Sequence, residues 1–148
     1  MRGLPNSRFY TKEKDGTRSY NELKEYKSWG ALYDIYAQLS VKDSEFSDDK
    51  LRVYLLIGMV AKARTQAATM EAFDSDLMVV YEKHEQAVLS VLNDLPYLIP
   101  STCDYLNRYF GFEDKNLEKK PGFLKKHTDT TNSALHEKNA QTCLMYFK

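Results

Sequence analysis

The sequence predicts an all-α fold: a helical bundle of four or five helices with flexible basic N- and C-terminal arms. Three observations predict it. Apolar residues recur at spacings of three and four over long stretches, the pattern of a helix with one buried face. Only 6 glycines and 4 prolines punctuate 148 residues, so regular elements can run long. A chain of that length suits one domain and can bury a core without metal or cross-links.

Residues 1–18 form the N-terminal arm. Arg8 to Lys14 is extended in character, and Asp15-Gly16 is a tight-turn signal, so a short hairpin and a plain disordered arm are both open. The helical domain spans residues 19–112. Its first helix is expected to start at Ser19, where Ser19 and Glu22 fit a capping box. Tyr20, Leu23, Tyr26, Trp29, Leu32, Tyr36 and Leu39 then mark one face to about residue 40. Gly30 interrupts that stripe.

Ser47 can cap a second helix, with Asp48 and Asp49 at its positive end. Residues 53–61 are apolar nearly all round, which predicts a central, buried helix. Asp74, Ser75 and Asp76 read as punctuation before the next helix. From there Leu77, Tyr81, His84, Val88, Val91 and Leu95 alternate spacings of four and three, the cleanest amphipathic pattern in the chain. Pro96 and Pro100 end it. Ser101 or Thr102 can open a shorter helix through Cys103, Leu106, Tyr109 and Phe110, with Gly111 near its C-cap. Residues 113–148 form a basic C-terminal segment. Residues 113–132 are charged and broken at Pro121-Gly122; a last helix is possible over residues 133–146.

Net charge is zero but unevenly spread. Residues 1–28 carry seven Lys/Arg against four Asp/Glu, residues 29–112 seven against twelve, and residues 113–148 seven against five. Basic ends around an acidic middle can attract phosphate or an acidic partner, or simply solvate the domain. Cys103 and Cys143 lie far apart with no CxxC, so they read as buried or free thiols in a reducing compartment. The longest apolar run, residues 53–61, is far below the roughly 20 residues of a membrane span. No signal-peptide pattern opens the chain. The expected location is cytoplasmic (host cytoplasm if the source is viral).

No motif for chemistry stands out. The glycines form no GxGxxG and no P-loop, and HExxH and GxSxG are absent. His84, His127 and His136 do not pair at helix-face spacing. His84 lies on the apolar stripe, where it reads as a packed histidine. His127 falls in a polar stretch expected to be mobile, without the orienting partners that acid–base chemistry needs. Asp74 and Asp76 could hold magnesium but read more simply as a helix cap. No metal site, no cofactor and no enzymatic activity are expected.

Two stretches resemble a known family. Gly30-Ala31-Leu32, Asp34-Ile35 and Leu39 resemble a helix in the N-terminal lobe of rhabdovirus nucleoproteins, the vesiculovirus type especially. Asp48-Asp49-Lys50, through Leu56 and Gly58 to Arg64-Thr65-Gln66, resembles the next helical segment of that lobe. Together they cover about a quarter of the chain, in the same order but more closely spaced than in the family. The resemblance implies a helical protein that coats RNA, with Arg64 on the RNA backbone. The family has a second arginine where this chain has Ala61; Lys62 could partly substitute. The chain is too short for the family's second lobe.

Binding therefore ranks ahead of catalysis. The first expectation is a small protein-binding module (inhibitor, adaptor or assembly type) whose stripe of Leu77, Tyr81, His84, Val88 and Val91 meets another protein or a second copy. The plainer reading is that this stripe is internal core. The alternative is RNA binding by Arg64, Lys62, Lys119, Lys120, Lys125 and Lys126, with Tyr10 and Phe123 available to stack on bases. No membrane association and no small-molecule substrate are expected.

Overall fold

A computed structural model describes residues 10–12, 14–15, 18–20, 36 and 47–148. Among the described residues the fold is all-α apart from one small hairpin. Strands β1 (Tyr10–Lys12) and β2 (Arg18–Tyr20) pair antiparallel, with Tyr10 opposite Tyr20 and Lys12 opposite Arg18. The hairpin alternative for the arm is thus the observed one. Pairing in β2 also takes Ser19 and Tyr20, so the helix expected to begin at Ser19 does not begin there. The rest of that expected helix, Tyr36 excepted, lies outside the described residues.

Seven helices follow among the described residues: α1 (Asp48–Ala63), α2 (Ala67–Lys83), α3 (Glu85–Asp94), α4 (Ile99–Phe112), α5 (Asp114–Leu117), α6 (Lys120–Ala134) and α7 (Glu137–Met145). Five have ten residues or more, so the bundle of four or five principal helices is the architecture found. A 3-10 turn, Pro96–Leu98, joins α3 to α4.

Helix α1 starts as its sequence predicts. Ser47 accepts a hydrogen bond from the Lys50 backbone N–H at 3.3 Å, and Asp48 and Asp49 sit in the first turn. Its buried face is Leu51, Tyr54, Leu55, Gly58 and Ala61, while Val53 and Leu56 point outward. The turn to α2 puts Thr65 at φ 51°, a left-handed conformation that a β-branched residue adopts only under strain.

Gln66 caps α2, its side chain accepting from the Thr69 N–H at 2.6 Å. Asp74, Ser75 and Asp76, expected to punctuate the chain, instead lie inside α2. Asp74 faces inward and holds Arg108 of α4 through two bonds of 2.8 and 3.0 Å, so the helix continues through it. The stripe over residues 77–95 is two helices and not one. His84 leaves helical geometry (φ −131°, ψ 37°), and the chain turns so that both halves face the same core.

That core is aromatic at its centre. Phe73 stacks on Tyr54 at 4.6 Å and Tyr105 at 5.2 Å, and Tyr36 lies 5.2 Å from it. Gly58 makes this possible: a Cβ there would come within 2.7 Å of the Phe73 ring. The Tyr105 hydroxyl donates to the Gly58 carbonyl at 2.8 Å, locking α4 to α1 at the same point.

The C-terminal segment is not a mobile arm. Helix α6 opens at Lys120 and runs through the expected break, because Pro121 falls in its first turn, where a missing N–H costs nothing. Helices α6 and α7 bury His127, Thr131, Ala140 and Cys143, and the residues that follow them bury Leu135 and Phe147. Cys103 and Cys143 are not free thiols: they form a disulfide tying α7 to α4. Packing α7 on α4 brings their Cα atoms to 5.4 Å, within bonding reach.

Candidate protein-binding surface

The residues expected to form an interface stripe are interior. Leu77, Tyr81, Val88 and Val91 are each no more than 2% exposed, and His84 is half-buried. A bundle must bury its most apolar face, and the internal reading of the stripe is the one found. Exposed apolar side chains are spread over the surface, among them Val53, Leu56, Val79, Tyr97 and Met145, and two lie close in sequence: Phe112 at the end of α4 and Leu117 in α5, 44% and 60% exposed.

Phe112 and Leu117 flank an open cleft of about 610 Å³ between α2, α4, α5 and the start of α6. Arg108 and Lys120 supply cations to its walls, Glu113 and Asp114 anions. Gly111 adds an open patch of wall, since a Cβ there would meet nothing within 4 Å. The Arg108 guanidinium is half-exposed and keeps a fixed direction because Asp74, buried behind it, grips it from two sides.

A second, smaller cleft of about 360 Å³ adjoins the first, sharing Phe110. Its inner wall is aromatic: Tyr81, Tyr109, Phe110, Phe123 and His127. Glu82, Glu85, Lys119 and Lys126 complete its lining. Glu85 and Lys126 face each other at 3.9 Å. His127 is 2% exposed, with the Tyr81 hydroxyl at 2.7 Å from Nδ1 and Thr131 Oγ1 at 3.2 Å. The orienting partners that its sequence context lacked come from α2 and from one turn further along α6. Phe123 stacks on its ring at 4.8 Å. Burial pushes its pKa down to about 4, so the imidazole is neutral at ordinary pH. Burial, with the nearby Glu85 charge, raises the Tyr81 phenol, which stays protonated.

The six expected phosphate contacts are spread over different surfaces. Lys119 and Lys126 reach the aromatic cleft and Lys120 the open one, while Lys125 is exposed on α6. Lys62 and Arg64 sit apart from these, at the end of α1. Lys62 forms an ion pair with Asp104 and lies 4.6 Å over the Tyr105 ring, so its charge is already engaged. Arg64 is the exposed C-cap of α1. Tyr10 is in β1, away in sequence from Phe123, whose ring packs in the aromatic cluster.

Sequence reading missed the aromatic cleft. Phe123, His127 and Thr131 recur at spacings of four, which is a helical face, but two of the three are polar and conceal it. Among the described residues, no three His, Cys, Asp or Glu side chains cluster to hold a metal ion, and no helix is long and apolar enough to cross a membrane.

The fold and its surface define an all-α helical domain with two adjoining clefts. Neither protein-family profiles, nor curated proteins, nor solved structures give a match to the chain.

Proposed function

We propose that this is a non-enzymatic protein-binding helical module that engages its partner through the end of the bundle formed by α4, α5 and α6. One observation carries the reading: Phe112 and Leu117 hold large apolar surface out in water beside a cleft walled by charges of both signs. Exposed apolar groups rimmed by polar ones are the usual composition of a protein contact. Phosphate fits this surface less well, because Glu113 and Asp114 line one cleft and Glu82 and Glu85 the other. The disulfide persists best in oxidising surroundings, and we place the folded protein there rather than in the cytoplasm.

Size-exclusion chromatography with light scattering and an ultraviolet ratio tests the reading on protein purified at low salt. The expected particle has a protein-only ratio and a mass above the 17.2 kDa monomer. Phe112→Glu with Leu117→Glu should return it to the monomer. A bare monomer that cross-links to no other protein overturns the proposal. Nucleic acid in the peak, lost in Arg64→Ala, would favour RNA coating instead.

A further inference from the structure

Helix α1 carries apolar side chains on two sides, and the core uses only one of them. The inner side packs Leu51, Tyr54, Leu55 and Ala61. On the outer side Val53 and Leu56 are 42% and 40% exposed, and Val60 continues them half-buried. Apolar side chains scattered singly over a surface are ordinary. These three are not scattered, because spacings of three and four set them in one row along the helix. One step further each way the row reaches Asp49 in the first turn and Arg64 at the C-cap, both exposed. The row therefore runs from an acid through three apolar side chains to a base.

That order is self-complementary. A two-fold axis crossing α1 between Leu56 and Ile57 sets a second copy of the helix antiparallel. It relates position 53 to 60 and position 49 to 64, since each pair is equidistant from the axis. Val53 then meets Val60 of the second copy, Leu56 meets its own counterpart, and Asp49 meets Arg64 at both ends. Antiparallel helix dipoles favour the same arrangement, with each positive start beside the other's negative end. A parallel pairing sets Asp49 on Asp49 and Arg64 on Arg64, which repel. Two other charged groups of α1 are engaged within the chain, Arg52 with Asp94 and Lys62 with Asp104.

We infer that the outer face of α1 is a self-association surface, occupied by the same face of a second copy packed antiparallel. This goes beyond the protein-binding reading above and uses a different face from Phe112 and Leu117. Three apolar side chains on each copy cover far less than the ~800 Å² per partner of a stable complex, so the dissociation constant is on the order of 1 mM and the pair does not survive size exclusion.

The test is heteronuclear NMR of the full chain over protein concentrations from about 0.05 to 2 mM, which bracket that constant. Raising the concentration should move the signals of Val53, Leu56 and Val60 in the wild type, and equally in Phe112→Glu/Leu117→Glu, which separates this face from the other. Leu56→Glu should weaken the association roughly tenfold. Asp49→Lys and Arg64→Glu should each weaken it by about the same factor when alone, because each sets like charges together at both ends. Mixed in equal amounts they should restore it, since each copy then supplies the charge the other lacks. Cooperative thermal unfolding of every variant shows that it folds. Signals that do not move with concentration, movement lost in Phe112→Glu/Leu117→Glu, or a mixture no better than its components each overturns the proposal. Movement of the same α1 signals on adding phosphatidylcholine vesicles, with no dependence on protein concentration, overturns the second copy as occupant and makes the row a lipid contact.

Discussion

Gly58→Ala and Gly111→Ala are the same substitution in two helices, and the structure assigns them opposite signs. At Gly58 the new methyl would lie 2.7 Å from Phe73 Cε1 and 2.9 Å from Cδ1. Something must move, and the ring has nowhere to go. Phe73 is fully buried, stacked on Tyr54 and Tyr105 and met by Tyr36. Overpacking of this kind costs about 1–3 kcal/mol. Against it stands the gain of about 1 kcal/mol from replacing glycine by alanine inside a helix. Because the ring is hemmed in on three sides, the cost falls in the upper part of its range, and the net loss is about 2 kcal/mol.

At Gly111 the methyl meets nothing within 4 Å, so only the helical gain remains, up to about 1 kcal/mol near a helix end. Urea and thermal unfolding followed by circular dichroism would read both. Gly58→Ala should lower the melting temperature by roughly 4–8 °C, and Gly111→Ala should raise it slightly. Phe73→Leu in the Gly58→Ala background should cost less than in the wild type, since the two changes share one contact. Equal effects of the two alanines, or full additivity with Phe73→Leu, would refute the close-approach argument.

Other expectations follow from single contacts. Replacing Cys103 and Cys143 by alanine opens a loop of sequence separation 40 and should cost about 4 kcal/mol, measured as a urea midpoint that no longer responds to reductant. His127 has a folded pKa of about 4 against an ordinary value of 6.5, so unfolding takes up a proton. Its contribution is fully present above pH ~6.5 and shrinks as pH falls, by about 3 kcal/mol at pH ~4; His127→Gln should flatten that part of the stability profile. Arg108→Ala should cost more than Asp74→Ala, by about 1–2 kcal/mol in unfolding experiments. The first strands a carboxylate that is 7% exposed, while the second leaves a guanidinium that water can reach. Thr65→Gly should raise stability by about 1 kcal/mol in the same assay, because glycine holds φ 51° without a Cβ clash; a loss would show that the Thr65 hydroxyl, which donates to the Arg64 carbonyl at 2.7 Å, outweighs the strain.

By itself the sequence determined the helical class, the start of α1 at Ser47 and the amphipathic stripe through α2 and α3, but it overstated the burial of α1, which packs one face and leaves Val53 and Leu56 exposed. What it determined depends on spacings of three and four and on cap chemistry, which are local properties of the chain. It also held the hairpin of β1 and β2 as one of two alternatives. Tertiary structure alone decided the rest. Asp74 looked like a cap because nothing nearby in sequence reveals Arg108 across the bundle. The α6 face looked like a mobile basic tract because His127 and Thr131 are polar, and only Tyr81, from a distant helix, makes their burial tolerable. Cys103 and Cys143 looked like separate thiols because no local pattern brings α4 and α7 together. The two clefts have the same origin. Their walls come from helices far apart in sequence, so they exist only once the helices pack, and the same packing sets which surface each candidate phosphate-contacting lysine reaches.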